Sequence, residues 1–277
     1  MFGLLKRTKI GFVLLASSIR VLWKHPKLVV LPVISAICSI GYFFALVVSV
    51  PPWLVDNTVM VYGLLILFYA GTTFIASFFN ATLVYCTARA FNGQPPSIRE
   101  GMAAAWQKKR LLAAWALIAA VVGLILRLIE ESSDLLGKLV ALVVGVAWAI
   151  MTFFVVPIIV FEDVSVRELF SRSSGLIKQT WGESFAATGA LGVVLFVCIF
   201  SGSVLGALVG PTLLVVLPRD LATFALIGSF LPIFLLGILG YFVGSTLSSI
   251  TKAALYVYAS QGVVPSEFEN AGSVFDA

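Results

Sequence analysis

The sequence predicts an all-α, polytopic membrane protein with six transmembrane helices and three amphipathic interfacial helices on the cytoplasmic surface. Three observations support this fold class. First, 60% of the 277 residues are hydrophobic and only 11% are charged, whereas soluble domains carry about 25% charged residues. Second, six apolar segments are long enough to cross a bilayer core of about 30 Å. Third, an amphipathic segment followed by two apolar segments occurs about three times.

The first predicted element is an amphipathic helix over residues 1–26. Leu15, Ile19 and Leu22 recur at steps of three or four residues, and most of the lysines and arginines fall on the other face. A basic helix of this kind lies in the membrane interface rather than across the bilayer. Pro26 ends it, and no cleavable signal peptide is expected.

Six transmembrane spans follow. The second, fifth and sixth are longer than a bilayer requires, so we expect them to tilt, break or extend beyond the membrane. Gly210 and Pro211 predict a break in the fifth span, and three further prolines predict kinks. The spans are predicted near residues 28–50, 59–91, 111–129, 135–161, 184–217 and 221–260, and the kinks at Pro32, Pro157 and Pro232.

The basic residues predict the orientation of the chain. Arg127, Lys138 and Arg219 lie on one side of the predicted spans. All other lysines and arginines lie at or near the side that holds the N-terminus and the loops before the third and fifth spans. Cytoplasmic loops are enriched in lysine and arginine. We therefore expect both termini to be cytoplasmic and the protein to be in the cytoplasmic (inner) membrane.

A short sequence motif lies at the junctions between the predicted repeat units. Residues 93–100 and 262–269 both fit G-x-x-P-S-x-x-E, and Ser165 and Glu168 repeat its second half. Serine followed three residues later by glutamate is a capping box, which starts a helix. One membrane domain, residues 1–277, is therefore predicted to contain three parallel repeats and a tail. These are residues 4–92, 97–161 and 165–260, with a cytoplasmic tail over residues 261–277.

Several of these segments also carry a family resemblance. They are Leu22–Lys27 followed by Leu31 and Pro32, then Ser97–Glu100, Arg167–Glu168 through Trp181–Glu183, and Ala254–Ala259 with Gly262 and Pro265. Over nearly its whole length the chain resembles a prokaryotic six-pass integral membrane protein family of unknown function. This resemblance implies a six-helix membrane domain with cytoplasmic termini, and it implies no activity, substrate or catalytic residue.

The sequence offers little to catalysis. His25 is the single histidine, and Cys38, Cys86 and Cys198 all lie in apolar segments without paired spacing. The acidic cluster at residues 130–134 has basic residues at helical spacing and is expected to be a neutralised surface. We therefore expect no enzyme activity, no metal site and no cofactor.

Polar residues form a stripe on the second and the sixth predicted spans. Polar side chains in hydrocarbon should face protein or a cavity. They either form hydrogen bonds between helices or line a seam that opens to the cytoplasm. The residues of this candidate seam are Thr73, Ser77, Asn80, Ser245, Ser249 and Lys252.

Small residues form ridges on the fifth and sixth predicted spans. Glycines spaced by four residues allow two helix backbones to approach closely. The ridges either pack the two spans against each other or mediate self-association into a homo-oligomer. They consist of Gly202, Gly206, Gly210, Gly240 and Gly244.

The basic residues of the two internal loops are candidate contacts for anionic lipid headgroups. Each lysine or arginine near an anionic leaflet contributes about 1 kcal/mol. The same surface could dock a membrane or cytosolic protein, whereas nucleic acid is not expected as a partner. The candidates are Arg99, Lys109, Arg110, Arg167, Arg172 and Lys178.

Three hypotheses on function follow from these features, and an intramembrane enzyme is the least favoured of them. The favoured hypothesis is a non-enzymatic scaffold or subunit of a membrane assembly that contacts lipid headgroups or a partner on the cytoplasmic face. The alternative is a transporter or channel for a small or lipid-like molecule through the seam between the second and sixth spans. The scarcity of ionisable residues within the spans argues against ion-coupled transport.

Overall fold

The computed structural model describes residues 2–51, 54, 56–132, 135–216, 218, 222–265 and 268. Within this part of the chain the backbone is helical apart from short connections, and it contains no β-strand. The all-α prediction is therefore confirmed.

Ten α-helices and one 3-10 turn make up the described chain. Six stretches of helix are long and apolar enough to cross a membrane, which confirms the predicted number of spans. The helices are α1 (Phe2–Lys24), α2 (Val30–Ser49, after the turn at Pro26–Val29), α3 (Thr58–Phe91), α4 (Ile98–Gln107), α5 (Lys109–Ser132), α6 (Leu135–Met151), α7 (Val155–Phe161), α8 (Val166–Gln179), α9 (Trp181–Val216) and α10 (Ala222–Gln261). The first span is the turn with α2, the second is α3 and the third is α5. The fourth is α6 followed by α7, the fifth lies in α9 and the sixth lies in α10.

The packed core lies at one end of the bundle, which we call the basic end because α4, α8 and their basic residues are there. Its buried side chains come from the C-terminal halves of α3 and α10, from α7 and from α8. Helix α1 joins this core, since Ser18 and Thr251 of α10 share a buried 2.8 Å hydrogen bond between their hydroxyls. Toward the opposite end, the far end, large apolar side chains of α2, α6, α9 and α10 are exposed.

The fourth predicted span consists of two helices rather than one. Helix α6 ends at Met151, and α7 starts at Val155. A helix start leaves backbone N–H groups without partners, and at this break Ser173 of α8 accepts a 3.2 Å hydrogen bond from Phe154 N. Helix α8 therefore supplies a cap for a break within a span.

The predicted break at Gly210 and Pro211 is wrong, because α9 continues as a helix to Val216. Proline removes one backbone hydrogen bond, but opening the helix in lipid would leave several polar groups without partners. Pro32 and Pro157 each occupy the third position of their helix, where the missing N–H needs no partner. Pro232 lies inside α10.

The recurring motif forms helix starts whose capping hydrogen bonds differ. Ser97 accepts from Glu100 N at 3.4 Å, but the Glu100 carboxylate pairs with Arg89 of α3 instead of reaching back to the cap. Glu168 does reach back, accepting from both Ser165 N and Ser165 Oγ at 2.8 Å. Ser266, Glu267 and Glu269 of the third copy lie outside the described residues. Superposition of the three repeat units stays a prediction.

Candidate functional site

A cavity of about 280 Å³ lies between α2, α3 and α10. It brings together Asn80 of α3 with Ser245 and Ser249 of α10, three of the six residues of the predicted seam. Asn80 is 11 residues before the end of α3, and Ser249 is 12 residues before the end of α10. At a rise of 1.5 Å per residue the cavity is therefore roughly 16–18 Å from the basic end of both helices.

One residue that lines the cavity, Asn80, has a polar atom without a partner. Asn80 Oδ1 is buried and has no hydrogen-bond partner among the described residues. Ser249, which faces the same space, donates its hydroxyl to Ser245 O in its own helix at 3.1 Å. A buried amide oxygen without a hydrogen bond costs about 1–3 kcal/mol. Asn80 of α3 and Ser249 of α10 thus line the same cavity, but Ser249 does not provide the hydrogen bond that Asn80 Oδ1 lacks.

Helix α2 forms a third wall that the sequence reasoning missed. Ser35 and Ser39 line the cavity from α2, and Tyr241 lines it one turn beyond Ser245. The four-residue spacing of Ser35 and Ser39 was a signal for a polar face on α2. The predicted seam did not include this face, because the repeat makes the second and sixth spans equivalent and the prediction considered only those two.

The other three seam residues are outside the cavity lining. Ser77 is buried and Thr73 is half-buried, both nearer the far end of α3. Lys252 turns to another neighbour, with its Nζ 5.0 Å from the centroid of the Phe153 ring at the break between α6 and α7. The described lining of the cavity is consequently free of charged side chains.

The glycines of α9 lie against the backbone of α10. A Cβ added at Gly202 would lie 2.7 Å from Ile233 Cα, and one added at Gly206 would collide with Ser229 O. Gly210 is in similar contact with the Ser229 side chain. These three positions therefore hold α9 and α10 together at close range.

The glycines of α10 differ from each other. A Cβ at Gly240 would be 2.8 Å from Cys198 Cβ of α9, so this glycine also belongs to the contact between the two helices. Gly244 has nothing within 4 Å of the position of such a Cβ. The predicted ridge therefore divides into four packed positions and one open position.

At the basic end, Glu162 connects three helices. Arg172 Nε of α8 donates to both Glu162 carboxylate oxygens at 3.0 Å, and Tyr256 Oη of α10 donates to Oε1 at 2.8 Å. Lys108 Nζ, just before α5, donates to Glu162 O at 3.0 Å and pairs with Asp163. The hydrogen bond and charge of Lys108 lower the pKa of the Asp163 carboxyl. No sequence motif indicated this cluster, because Lys108 and Tyr256 are far from Glu162 in the chain.

The Glu162 cluster borders a second cavity of about 550 Å³. Asn92, which follows the last residue of α3, Ser260 of α10 and the segment 263–265 line it as well. Phe268 is fully buried nearby, with its ring centroid 5.7 Å from that of Phe91 in an edge-on arrangement. The described part of the predicted tail is thus folded against the end of α3.

Five of the six candidate headgroup contacts are exposed at the basic end without an ion-pair partner among the described residues. The sixth, Arg172, is held by Glu162. Lys109 Nζ lies 4.4 Å from the centroid of the exposed Trp106 ring. The five exposed candidates are Arg99, Lys109, Arg110, Arg167 and Lys178.

One member of the acidic cluster at the far end, Glu131, is paired within its own helix. Arg127 Nε donates to Glu131 Oε1 at 2.7 Å, one helical turn away. Asp134 lies outside the described residues. Among the residues that the structure describes, no group of three or more His, Cys, Asp or Glu side chains is arranged to hold a metal ion.

The family of unknown function DUF6159 matches residues 59–266, well over half of the chain. The matched region contains Asn80, Ser245 and Ser249, whereas α2 with Ser35 and Ser39 precedes it. No curated protein and no solved structure matches the chain. The family match confirms the resemblance to a family of unknown function that the sequence motifs indicated, and the chain belongs to DUF6159.

Proposed function

We propose that this protein is a non-enzymatic membrane protein that binds a small or lipid-like molecule in the cavity between α2, α3 and α10 and carries it within or across the membrane. We further propose that the protein lies in the cytoplasmic (inner) membrane. Its basic end then faces the cytoplasm, because lysine and arginine accumulate on cytoplasmic loops. The cavity then lies in the cytoplasmic half of the bilayer.

The observation that carries this proposal is the buried, unpartnered Oδ1 of Asn80. If the polar seam served only to join α3 and α10, Asn80 and the serines would form hydrogen bonds across the interface. Instead Ser249 bonds to its own helix, and a cavity of about 280 Å³ separates the polar groups. This volume is close to the lower end of the ~300–1,000 Å³ of small-molecule sites.

The direct test is the accessibility of the cavity to water. In a background with Cys38, Cys86 and Cys198 replaced by alanine, single cysteines are placed at Ser39 and at Ile40. Ser39 lines the cavity, and Ile40 is the adjacent residue on the exposed side of α2. A charged, water-soluble thiol reagent should modify Ser39→Cys at least tenfold faster than Ile40→Cys. Equal rates, or full protection at Ser39, would refute the proposal.

A second measurement separates binding from packing. Leucine has nearly the shape of asparagine and leaves no polar atom unsatisfied. Asn80→Leu should therefore raise the thermal stability of the empty protein, as expected for a residue kept for function at a cost in stability. A loss of stability in Asn80→Leu would instead support a purely structural role.

The exposed basic side chains at the basic end favour a second candidate, the scaffold or assembly subunit. Arg110 and Lys178 are on different helices at the same end, and the exposed Trp106 lies beside Lys109. Tryptophan and basic side chains together are typical of a membrane–water interface. These residues would contact anionic headgroups or an acidic partner protein.

This second candidate is tested by gentle solubilisation followed by native mass spectrometry. A stoichiometric partner, a homo-oligomer or retained anionic lipid should be found with the wild-type protein. The double variant Lys109→Glu, Arg110→Glu should lose it, whereas Lys138→Glu at the far end should not. A lipid-free monomer in every case would exclude the scaffold.

A further inference from the structure

We propose that the occupant of the cavity is an uncharged lipid with a hydroxyl-bearing head, whose head lies in the cavity and whose tail lies along the exposed apolar side chains of α2 and α10 beyond it. This inference rests on the proposed function, because it names the ligand class of the same site. Its support comes from the charge, the hydrogen-bonding groups and the apolar surroundings of the cavity.

The lining excludes a charged head. None of the residues that line the cavity carries a formal charge. Lys252, the nearest basic residue along α10, faces Phe153 instead. Moving an ion from water into a site without a countercharge costs several kcal/mol. A phosphate or ammonium head would therefore be disfavoured relative to a neutral one.

The hydrogen-bonding groups favour a hydroxyl. The Asn80 amide offers an acceptor and donors, and rotation about its last torsion exchanges which of them faces the cavity. Ser35, Ser39 and Ser245 add hydroxyl groups that both donate and accept. A ligand hydroxyl also donates and accepts. Once this rotation turns Oδ1 toward the cavity, the ligand can donate to Oδ1 and bond to a serine at the same time.

The polar face of each wall becomes apolar toward the far end. On α10, Ser245 and Tyr241 are followed along the same helical face by Ile238 and Phe234, which are 38% and 64% exposed. On α2, the four-residue spacing that carries Ser35 and Ser39 continues to Phe43 and Val47, which are 43% and 53% exposed. Beyond the cavity, both helices therefore present exposed apolar side chains toward the far end.

The length of this apolar stretch of α10 matches one leaflet. Phe234 precedes Ser245 by 11 residues, which is about 16 Å of helix at 1.5 Å per residue. Half of a bilayer core of about 30 Å is about 15 Å. A head held by Asn80 and Ser245 would therefore place its hydrocarbon chain along Ile238 and Phe234.

The experiment uses the full-length protein in phosphatidylcholine nanodiscs with a diacylglycerol that carries a photoactivatable diazirine in its acyl chain. Cross-links should concentrate at residues 227–238 and 43–47. Unlabelled diacylglycerol should compete at least tenfold better than phosphatidic acid, which has the same tails and a charged head. Asn80→Leu should reduce labelling at least fivefold, and Ile40→Ala should not.

Four outcomes would overturn the inference. Equal competition by phosphatidic acid would show that the site does not select a neutral head. Labelling that extends evenly to α6 and is unchanged in Asn80→Leu would indicate contact with bulk lipid only. Protection of Ser39→Cys by glycerol, without diacylglycerol labelling, would make the occupant a water-soluble polyol and leave the proposed function intact. If Ser39→Cys is unreactive and no labelling occurs, both proposals fail.

Discussion

Tyr256 Oη donates a 2.8 Å hydrogen bond to Glu162 Oε1, joining side chains that are 94 residues apart in the chain. Glu162 simultaneously accepts both bonds from Arg172, so one carboxylate connects α7, α8 and α10. Tyr256 is almost fully buried. The last helix of the bundle is thereby fixed to the middle of the chain at the basic end.

The first prediction concerns this hydrogen bond. Tyr256→Phe removes the donor and keeps the ring, and a hydrogen bond to a charged group contributes about 1.5–3 kcal/mol. The variant should unfold at lower temperature in detergent, as followed by intrinsic fluorescence. Tyr62→Phe, on the exposed surface of α3, is the matched control. If the two variants melt together, the hydrogen bond does not contribute to stability.

The second prediction concerns the glycines between α9 and α10. A Cβ at Gly206 would collide with Ser229 O, whereas one at Gly244 would meet nothing within 4 Å. Gly206→Ala should therefore destabilise the protein by about 1–3 kcal/mol, and Gly244→Ala should have little effect. Thermal unfolding and light scattering of both variants check this. Dissociation of an oligomer by Gly244→Ala would show that the open glycine serves self-association.

The third prediction is a pH dependence at the start of α8. The backbone N–H and then the hydroxyl of Ser165 donate to Glu168, so the pKa of this carboxyl is below its ordinary value of 4.5. A lowered folded-state pKa stabilises the protein above the ordinary value, and this stabilisation is lost as the pH falls through the lowered one.

Glu168→Gln resembles the protonated form and is the natural variant for this test. The difference in melting temperature between wild type and Glu168→Gln should be largest near pH 7 and should shrink below about pH 4. Glu130→Gln, which alters an exposed carboxylate at the far end, corrects for the general effect of charge removal. A difference that is constant with pH would contradict the capping role of Glu168.

The fourth prediction concerns the described part of the tail. Phe268 is fully buried against Phe91, and Val263 in the same segment is exposed. Phe268→Ala should cost about 3–5 kcal/mol, as is usual for truncating a buried phenylalanine, whereas Val263→Ala should be nearly neutral. Limited proteolysis should also cleave the tail of Phe268→Ala first. Equal stability of the two variants would mean that the tail is not part of the core.

The sequence by itself determined the membrane fold, because its signals are local. A run of about 20 apolar residues specifies a span whatever its neighbours are, and serine followed by glutamate specifies a helix start. Helical periodicity also placed Asn80, Ser245 and Ser249 on polar faces of α3 and α10 before any packing was known.

Only the tertiary structure decided what those faces meet. Periodicity defines a face but neither its rotation in the bundle nor its partner, and lipid provides no hydrophobic force that would select one. Close packing therefore made α2 the third wall of the cavity, turned Lys252 toward Phe153 and brought Glu162 to Tyr256. In lipid, backbone N–H and C=O groups must find partners within the protein. This requirement kept α9 helical through Pro211, where the local sequence predicted a break.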